Sequence, residues 1–239
     1  MREGLPAHLF ERLLAFDDAL YRNITTVHPP QDLFDDLSDD PQERAFAALA
    51  DVRERQPTSA PFITRPFDYG IDLAHPFTGR THHATRFSDG TRYGVWYGAL
   101  EIETTVRETV FHWLRRVRDS FPDLAPTVIT HRRIYQVRCD ALLVDLREKH
   151  REFPGLIDPD SYAFTHQVGR YLHEQKMPGL LVQSARGGKI NAAIFTPDAL
   201  SNPRDVCLLR YRWTPGEPDV TVERSGEAWI TIAAPRAAA

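Results

Sequence analysis

Val106, Val110, Trp113, Leu114 and Val117 recur at helical spacing and give the segment after Glu103 a single apolar stripe, the best-defined element of the chain. A helix of this kind needs a sheet to cover. The turn-rich run FSDGTRYG leads into a short strand at 95–99 just ahead of it, and strand-like runs follow at 132–139, 141–146, 179–184, 192–195 and 206–213. A hairpin of 219–224 with 227–233 closes across Ser225-Gly226, and a second helix falls at about 161–176. Strands outnumber helices and the helices do not strictly alternate with them. The expected fold is therefore α+β, a mixed β-sheet core with packed helices, rather than a doubly wound parallel sheet.

Upstream, DDPQERAFAALADVRERQ at 39–56 carries a helix start, with Asp39 or Asp40 as N-cap, Pro41 in the first turn, and Phe46, Leu49 and Val52 along one side. From 56 to 85 the chain is rich in Pro, Gly, Thr and His without periodicity and reads as a long connection carrying short strands. The expected organisation is an N-terminal helical extension and connection at 1–80 and one compact catalytic domain at 81–239, a length that buries a substantial core.

Charge excludes some partners. With 29 Lys+Arg against 33 Asp+Glu, a net charge of −4, no long basic run and no zinc-finger spacing, direct nucleic-acid binding is not expected, and Arg115-Arg116-Val117-Arg118 reads as a solvated helix face. Cys139 and Cys207 lie far apart in apolar runs, as buried thiols of a reducing compartment would. The charged N-terminus lacks the apolar run of a signal peptide, and no stretch nears the ~20 apolar residues of a membrane span, so a cytoplasmic location is expected. No metal is expected either: His173-Glu174 lacks a second histidine, and adjacent His82-His83 are poorly placed for one ion.

There is no Gly-x-Ser-x-Gly elbow, Walker loop or Gly-x-Gly-x-x-Gly. What remains is a cation, a ring and a carboxylate in two equal steps of 11 residues, Arg86 to Tyr97 and Tyr97 to Glu108. Arg86 precedes the strand, Tyr97 lies on it and Glu108 sits one turn into the helix. Glu108 is off the apolar stripe, on a side shared with Thr104, Thr105, His112 and Arg115, and so faces either a cleft or water. In GLLVQSARGGKINAAIF, Ser184 ends a strand and can donate to a carboxylate or a ribose. Arg186-Gly187-Gly188-Lys189 could meet phosphates, although a plain β-turn explains Gly-Gly-Lys better. Each residue alone has an ordinary reading: a surface ion pair for Arg86, a half-buried sheet aromatic for Tyr97, a solvated helix residue for Glu108, a turn cap for Ser184.

Together, ATRFSDG, YGVWYGA, ETTVRE, VFH and QSARGGKIN resemble the RES-domain family in order, spacing and identity over roughly 84–196, and YRNITTVHPPQDLF resembles upstream elements of its longer members. Two departures stand out: Arg107 where a small residue is usual, and Thr85 in place of a serine. Known RES proteins are toxins of bacterial toxin–antitoxin pairs with a fold similar to ADP-ribosyltransferase toxins. The resemblance implies an enzyme that consumes NAD by hydrolysis, by phosphorolysis or by ADP-ribosylating a nucleotide-synthesis enzyme, held in check by an Xre-like antitoxin protein. It matches Arg86, Tyr97, Glu108 and Ser184 to the family's functional positions; Arg22 matches a further arginine, with Arg65 as its rival.

Breaking the nicotinamide–ribose bond needs a carboxylate beside an oxocarbenium-like ribosyl centre, the role expected of Glu108. Arg86 would hold phosphate, Tyr97 would border the nicotinamide ring, and Ser184 would orient Glu108 or the ribose. The acceptor, whether water, phosphate or protein, is left open. Two alternatives stand beside this reading: a non-catalytic nucleotide- or protein-binding module on the same fold, and an unrelated enzyme acting on a phosphorylated sugar.

Overall fold

The computed structural model describes residues 5–26, 73–78, 84–121, 123 and 125–234. The chain divides into two compact units, Met1–Thr25 with Tyr69–Ala239, and Thr26–Asp68, and every element named below belongs to the first. Its strands are β1 (Leu13–Thr25), β2 (Trp96–Ala99), β3 (Val128–Asp145), β4 (Gly179–Gln183), β5 (Ile190–Ile194), β6 (Leu200–Trp213), β7 (Asp219–Arg224) and β8 (Glu227–Ala233); its helices are α1 (Ile102–Ser120) and α2 (Ala163–Glu174). The expected α+β class is the one observed. No described helix is long and apolar enough to cross a membrane.

The strands form one sheet in the order β1-β2-β5-β4-β3-β6-β7-β8, antiparallel except for β3 with β4. β1 also pairs with β3 from Leu13↔Val144 to Thr25↔Arg132, so β1, β2, β5, β4 and the C-terminal half of β3 close on themselves. Alternation along these strands sorts the core. Phe16, Leu20, Trp96, Val137, Leu143, Leu181, Ala192 and Ile194 fill the inside of the ring. Leu180, Val182, Ala193 and Val144 point the other way and meet Val168 and Leu172 of α2 with Phe87 and Tyr93. The stripe of α1 covers Ile134, Leu209, Tyr211, Val220 and Val222 on the second half of the sheet.

Two expectations are corrected. The first sets residues 1–80 apart as an N-terminal helical extension and connection, yet Leu13–Thr25 is a full strand of the sheet. Its buried positions, Phe16, Leu20 and Asn23, fall at helical spacing because Phe16 and Leu20 face the ring interior while Asn23 faces α1. Thirteen register pairs with β3 override that local pattern. The helix expected at 39–56 and most of the 56–85 connection lie outside the described residues. The second correction joins 132–139 and 141–146 into the single strand β3, which continues through Cys139-Asp140 because β1 pairs with it on both sides of that point. The hairpin of β7 and β8 is as expected, with Ser225 (φ 55°) and Gly226 (φ 83°) both left-handed at the turn.

A buried polar network fastens α1 to the sheet. Arg132 of β3 donates to the side chain and carbonyl of Asn23, Asn23 Nδ2 donates to the Tyr211 hydroxyl at 2.7 Å, and Thr109 of α1 meets that hydroxyl at 2.9 Å. At the other end of β3, Asp145 is 2 % exposed and receives Arg147 at 2.8 Å and Arg12 at 2.9 Å. The hydrogen bond from Arg147 holds its carboxyl below the ordinary 3.8. The two cysteines are free; Cys139 is buried, which pushes its thiol up to about 12.

Asp145→Asn should lower unfolding free energy at pH 7 by about 2 kcal/mol, the scale of hydrogen bonds to a charged group. Because the folded carboxyl is held below its unfolded value, its stabilisation is complete above about pH 5 and lost as pH falls through the folded pKa. Urea titrations should show the wild type and the variant converging in acid; a constant gap down to pH 2 would contradict this account.

Candidate functional site

The site is assembled by a loop, two helices and the β4–β5 hairpin. In the loop, Ser88 Oγ donates to the carbonyl of Tyr93 and accepts from the N–H of Gly90, and Asp89 Oδ1 accepts from Thr91 in an Asx-type turn. Gly90 takes φ 79°. Phe87 is fully buried, and its carbonyl lies so close to Gly169 of α2 that a Cβ there would approach within 1.9 Å. FSDG is thus a rigid mount for Arg86. The Arg86 side chain, 5 % exposed, donates Nη1 to the carbonyl of Asp158 at 2.8 Å and lies 4.5 Å from the Tyr162 ring. Its Nη2 is buried without a partner.

Glu108, 8 % exposed, turns inward from α1 rather than to water. Its Oε1 accepts from Ser184 Oγ at 2.7 Å and from Asn191 Nδ2 at 2.6 Å. Both donors use the same oxygen, so Oε2 takes no protein hydrogen bond among the described residues. Asn191 Nδ2 also donates to the Tyr97 hydroxyl at 2.9 Å, and its Oδ1 is buried and unpartnered. Burial first, and the Glu108 charge second, push the Tyr97 phenol well above its ordinary pKa. Tyr97 stays a neutral donor.

Ser184 is held as a donor too. Its Oγ accepts from the N–H of Arg186 at 3.1 Å while giving its proton to Glu108. The turn that follows is structural: Gly187 takes φ 74°, and Gly188 lies where a Cβ would meet Thr104 Cγ2 at 2.8 Å. The Lys189 N–H donates to Thr104 Oγ1, and Lys189 Nζ pairs with Glu101. Gly-Gly-Lys therefore docks the hairpin on α1, which brings Ser184 and Asn191 to Glu108.

The structure brings Arg86, Tyr97, Glu108 and Ser184 together and leaves Arg22 apart. Arg22 packs over Trp96 at 5.4 Å, and Trp96 and Tyr97, being neighbours on β2, face opposite sides of the sheet. Arg65 lies outside the described residues. Arg107 pairs with Glu103 one turn back at 2.6 Å, along the helix surface. Sequence reasoning missed Asn191, because it began the strand at 192; a lone amide in the otherwise apolar INAAIF was the available signal. His112, which shares the Glu108 side of the helix, has its pKa lowered by burial, an effect opposed by Glu108 and reinforced by Arg186 and Arg86.

Fold and site define an α+β protein whose mixed sheet carries a buried glutamate held by a serine and an asparagine. The RES domain family matches residues 61–214, well over half of the chain, and the protein belongs to that family. No curated protein matches the sequence. Among solved structures, it is similar to a chain of the crystal structure of the M. tuberculosis MbcT–MbcA toxin–antitoxin complex, with 13 % identity, a TM-score of 0.48, and 85 % of this chain and 94 % of that one covered.

Asn191→Ala should cost about 2 kcal/mol by leaving a buried carboxylate short of a donor. Asn191→Asp removes the same donor and sets a second carboxylate against Glu108, so at pH 8 it should be less stable than Asn191→Ala, and the gap between the two should narrow towards pH 5 as the introduced aspartate takes up a proton. Denaturation midpoints of the two variants from pH 5 to 8 check this; parallel curves would show that Asn191 does not couple to the charge on Glu108.

Proposed function

We propose that this protein is an NAD-cleaving toxin of a toxin–antitoxin pair and that Glu108 is its catalytic carboxylate. One observation carries the reading: a buried glutamate whose two protein donors share Oε1, leaving Oε2 for a ligand. In the proposed reaction the bond between ribose C1′ and the nicotinamide nitrogen breaks. Its electron pair goes to the ring nitrogen, which neutralises the pyridinium, and positive charge develops on the ribosyl centre. Oε2 of Glu108 accepts a hydrogen bond from the ribose 2′-hydroxyl and faces that charge. Ser184 and Asn191 keep the carboxylate oriented before the charge appears, so little reorganisation is needed at the reacting moment.

Tyr97 borders the nicotinamide ring with a hydroxyl that accepts from Asn191 and has its own proton to give. Arg86 offers its unpartnered Nη2 to phosphate. Ser184 is a positioning residue, since its proton already serves Glu108. Water, phosphate or a side chain of a protein target, such as a nucleotide-synthesis enzyme, then takes the ADP-ribosyl group. Family membership supports the toxin role, and with it an Xre-like antitoxin as the partner that covers the cleft.

Incubation with NAD should release free nicotinamide, and Glu108→Gln should reduce that release at least about a hundredfold while the protein remains folded. Mass analysis of the products with and without phosphate identifies the acceptor. The same substitution should relieve growth inhibition on expression. Turnover by Glu108→Gln at the wild-type rate removes this residue from the mechanism, and absence of nicotinamide release by the wild type rejects the reading in favour of a binding module.

A further inference from the structure

Among the described residues the sheet closes on itself at one end and stops at the other. β1, β2, β5, β4 and β3 each have a strand on both sides, and β6 and β7 lie between neighbours, so β8 alone pairs on one side only, with β7. Natural sheets guard such an edge with lysine, proline, an inward charge or a bulge, because its unpaired N–H and C=O groups recruit another strand. β8 reads EAWITIA, without lysine or proline, and its single charge, Glu227, lies at the turn end. A bulge does fall in it: Val222 pairs with Ile230 and Glu223 with Ala228, so Trp229 is the extra residue. Beyond the bulge, residues 230–233 run in unbroken register to the end of the strand.

Backbone hydrogen bonds fix which of these residues face the open side. The Ala234 N–H donates to the Pro218 carbonyl at 2.7 Å. Bonded and non-bonded pairs alternate in an antiparallel ladder, so counting back through the register bonds Ile232 to Val220 and Ile230 to Val222, and turns the N–H and C=O of Thr231 and Ala233 outward. Thr231 and Ala233 are also exposed. We propose that this edge joins a second copy of the chain by antiparallel pairing of β8 with β8 about a two-fold axis at Thr231. The strand is self-complementary in that register. Thr231 meets its own counterpart, a favourable cross-strand pair. Ile230 meets Ile232 of the second copy, which continues the apolar layer that these two residues form with Val220 and Val222 under α1. The bulge at Trp229 falls opposite Ala233 and sets the limit of the pairing, and Glu227 lies beyond it, so no like charges face each other. Because the one free edge is used by both copies, assembly through it stops at two.

Sedimentation of the full chain should show a dimer at about 10–100 µM, as suits a small interface. Thr231→Lys sets two like charges against each other on the axis and leaves the ladder with β7 alone, and Thr231→Pro removes an outward N–H that β7 does not use. Each should raise the dissociation constant at least about tenfold, with unfolding midpoints establishing that both variants fold. Thr231→Cys should cross-link two chains on oxidation, since residues bonded across such a pair lie about 5.5 Å apart between Cα atoms, within reach of a disulfide. The wild type, whose cysteines are Cys139 and Cys207, serves as the control. A wild type that sediments as a monomer throughout this range, or a dimer that persists undiminished in folded Thr231→Lys and Thr231→Pro proteins, overturns the proposal. A monomer whose β8 edge takes up a strand of a different protein overturns it in favour of that partner, and a dimer in which Thr231→Cys forms no cross-link rejects the axis at Thr231.

Discussion

Glu108 is a helix residue carried into the interior, and a carboxylate so placed must meet donors or impose a penalty of several kcal/mol. Much of the surrounding structure follows from that requirement. The donors come from the two sides of one hairpin turn, Ser184 after β4 and Asn191 on β5, and the hairpin packs on α1 where Gly188 admits Thr104 at a distance no side chain would tolerate. The helix, in turn, is fixed on its other flank by Thr109, Tyr211, Asn23 and Arg132. α1 is therefore held from two sides by polar contacts and along its stripe by apolar ones. The carboxylate has little freedom to turn away.

The same logic explains the FSDG loop. An arginine that keeps one donor free inside a protein needs a mount that does not relax to satisfy it. Ser88, Asp89 and Gly90 supply that mount by local hydrogen bonds, and the contact of Phe87 with Gly169 presses the loop against α2. Gly169 thus matters to Arg86 although it lies on a different element and has no side chain to offer.

The parts legible in the sequence were those governed by local rules. The stripe of α1, the β7–β8 hairpin with its Ser-Gly turn, and the strand–helix order around Tyr97 and Glu108 follow from periodicity and turn chemistry, and the structure reproduces them. The resemblance drew Arg86, Tyr97, Glu108 and Ser184 into one group, which the fold brings together. What escaped was set by distant partners. Leu13–Thr25 alternates like a helix because its two faces are buried by different layers, and β3 is continuous because β1 spans its apparent break. Asn191 looked like a turn residue, and only its register opposite Val182 places it on the face of Tyr97. Arg22 shows the converse: a motif-like position whose strand parity sends it to the other side of the sheet, over Trp96.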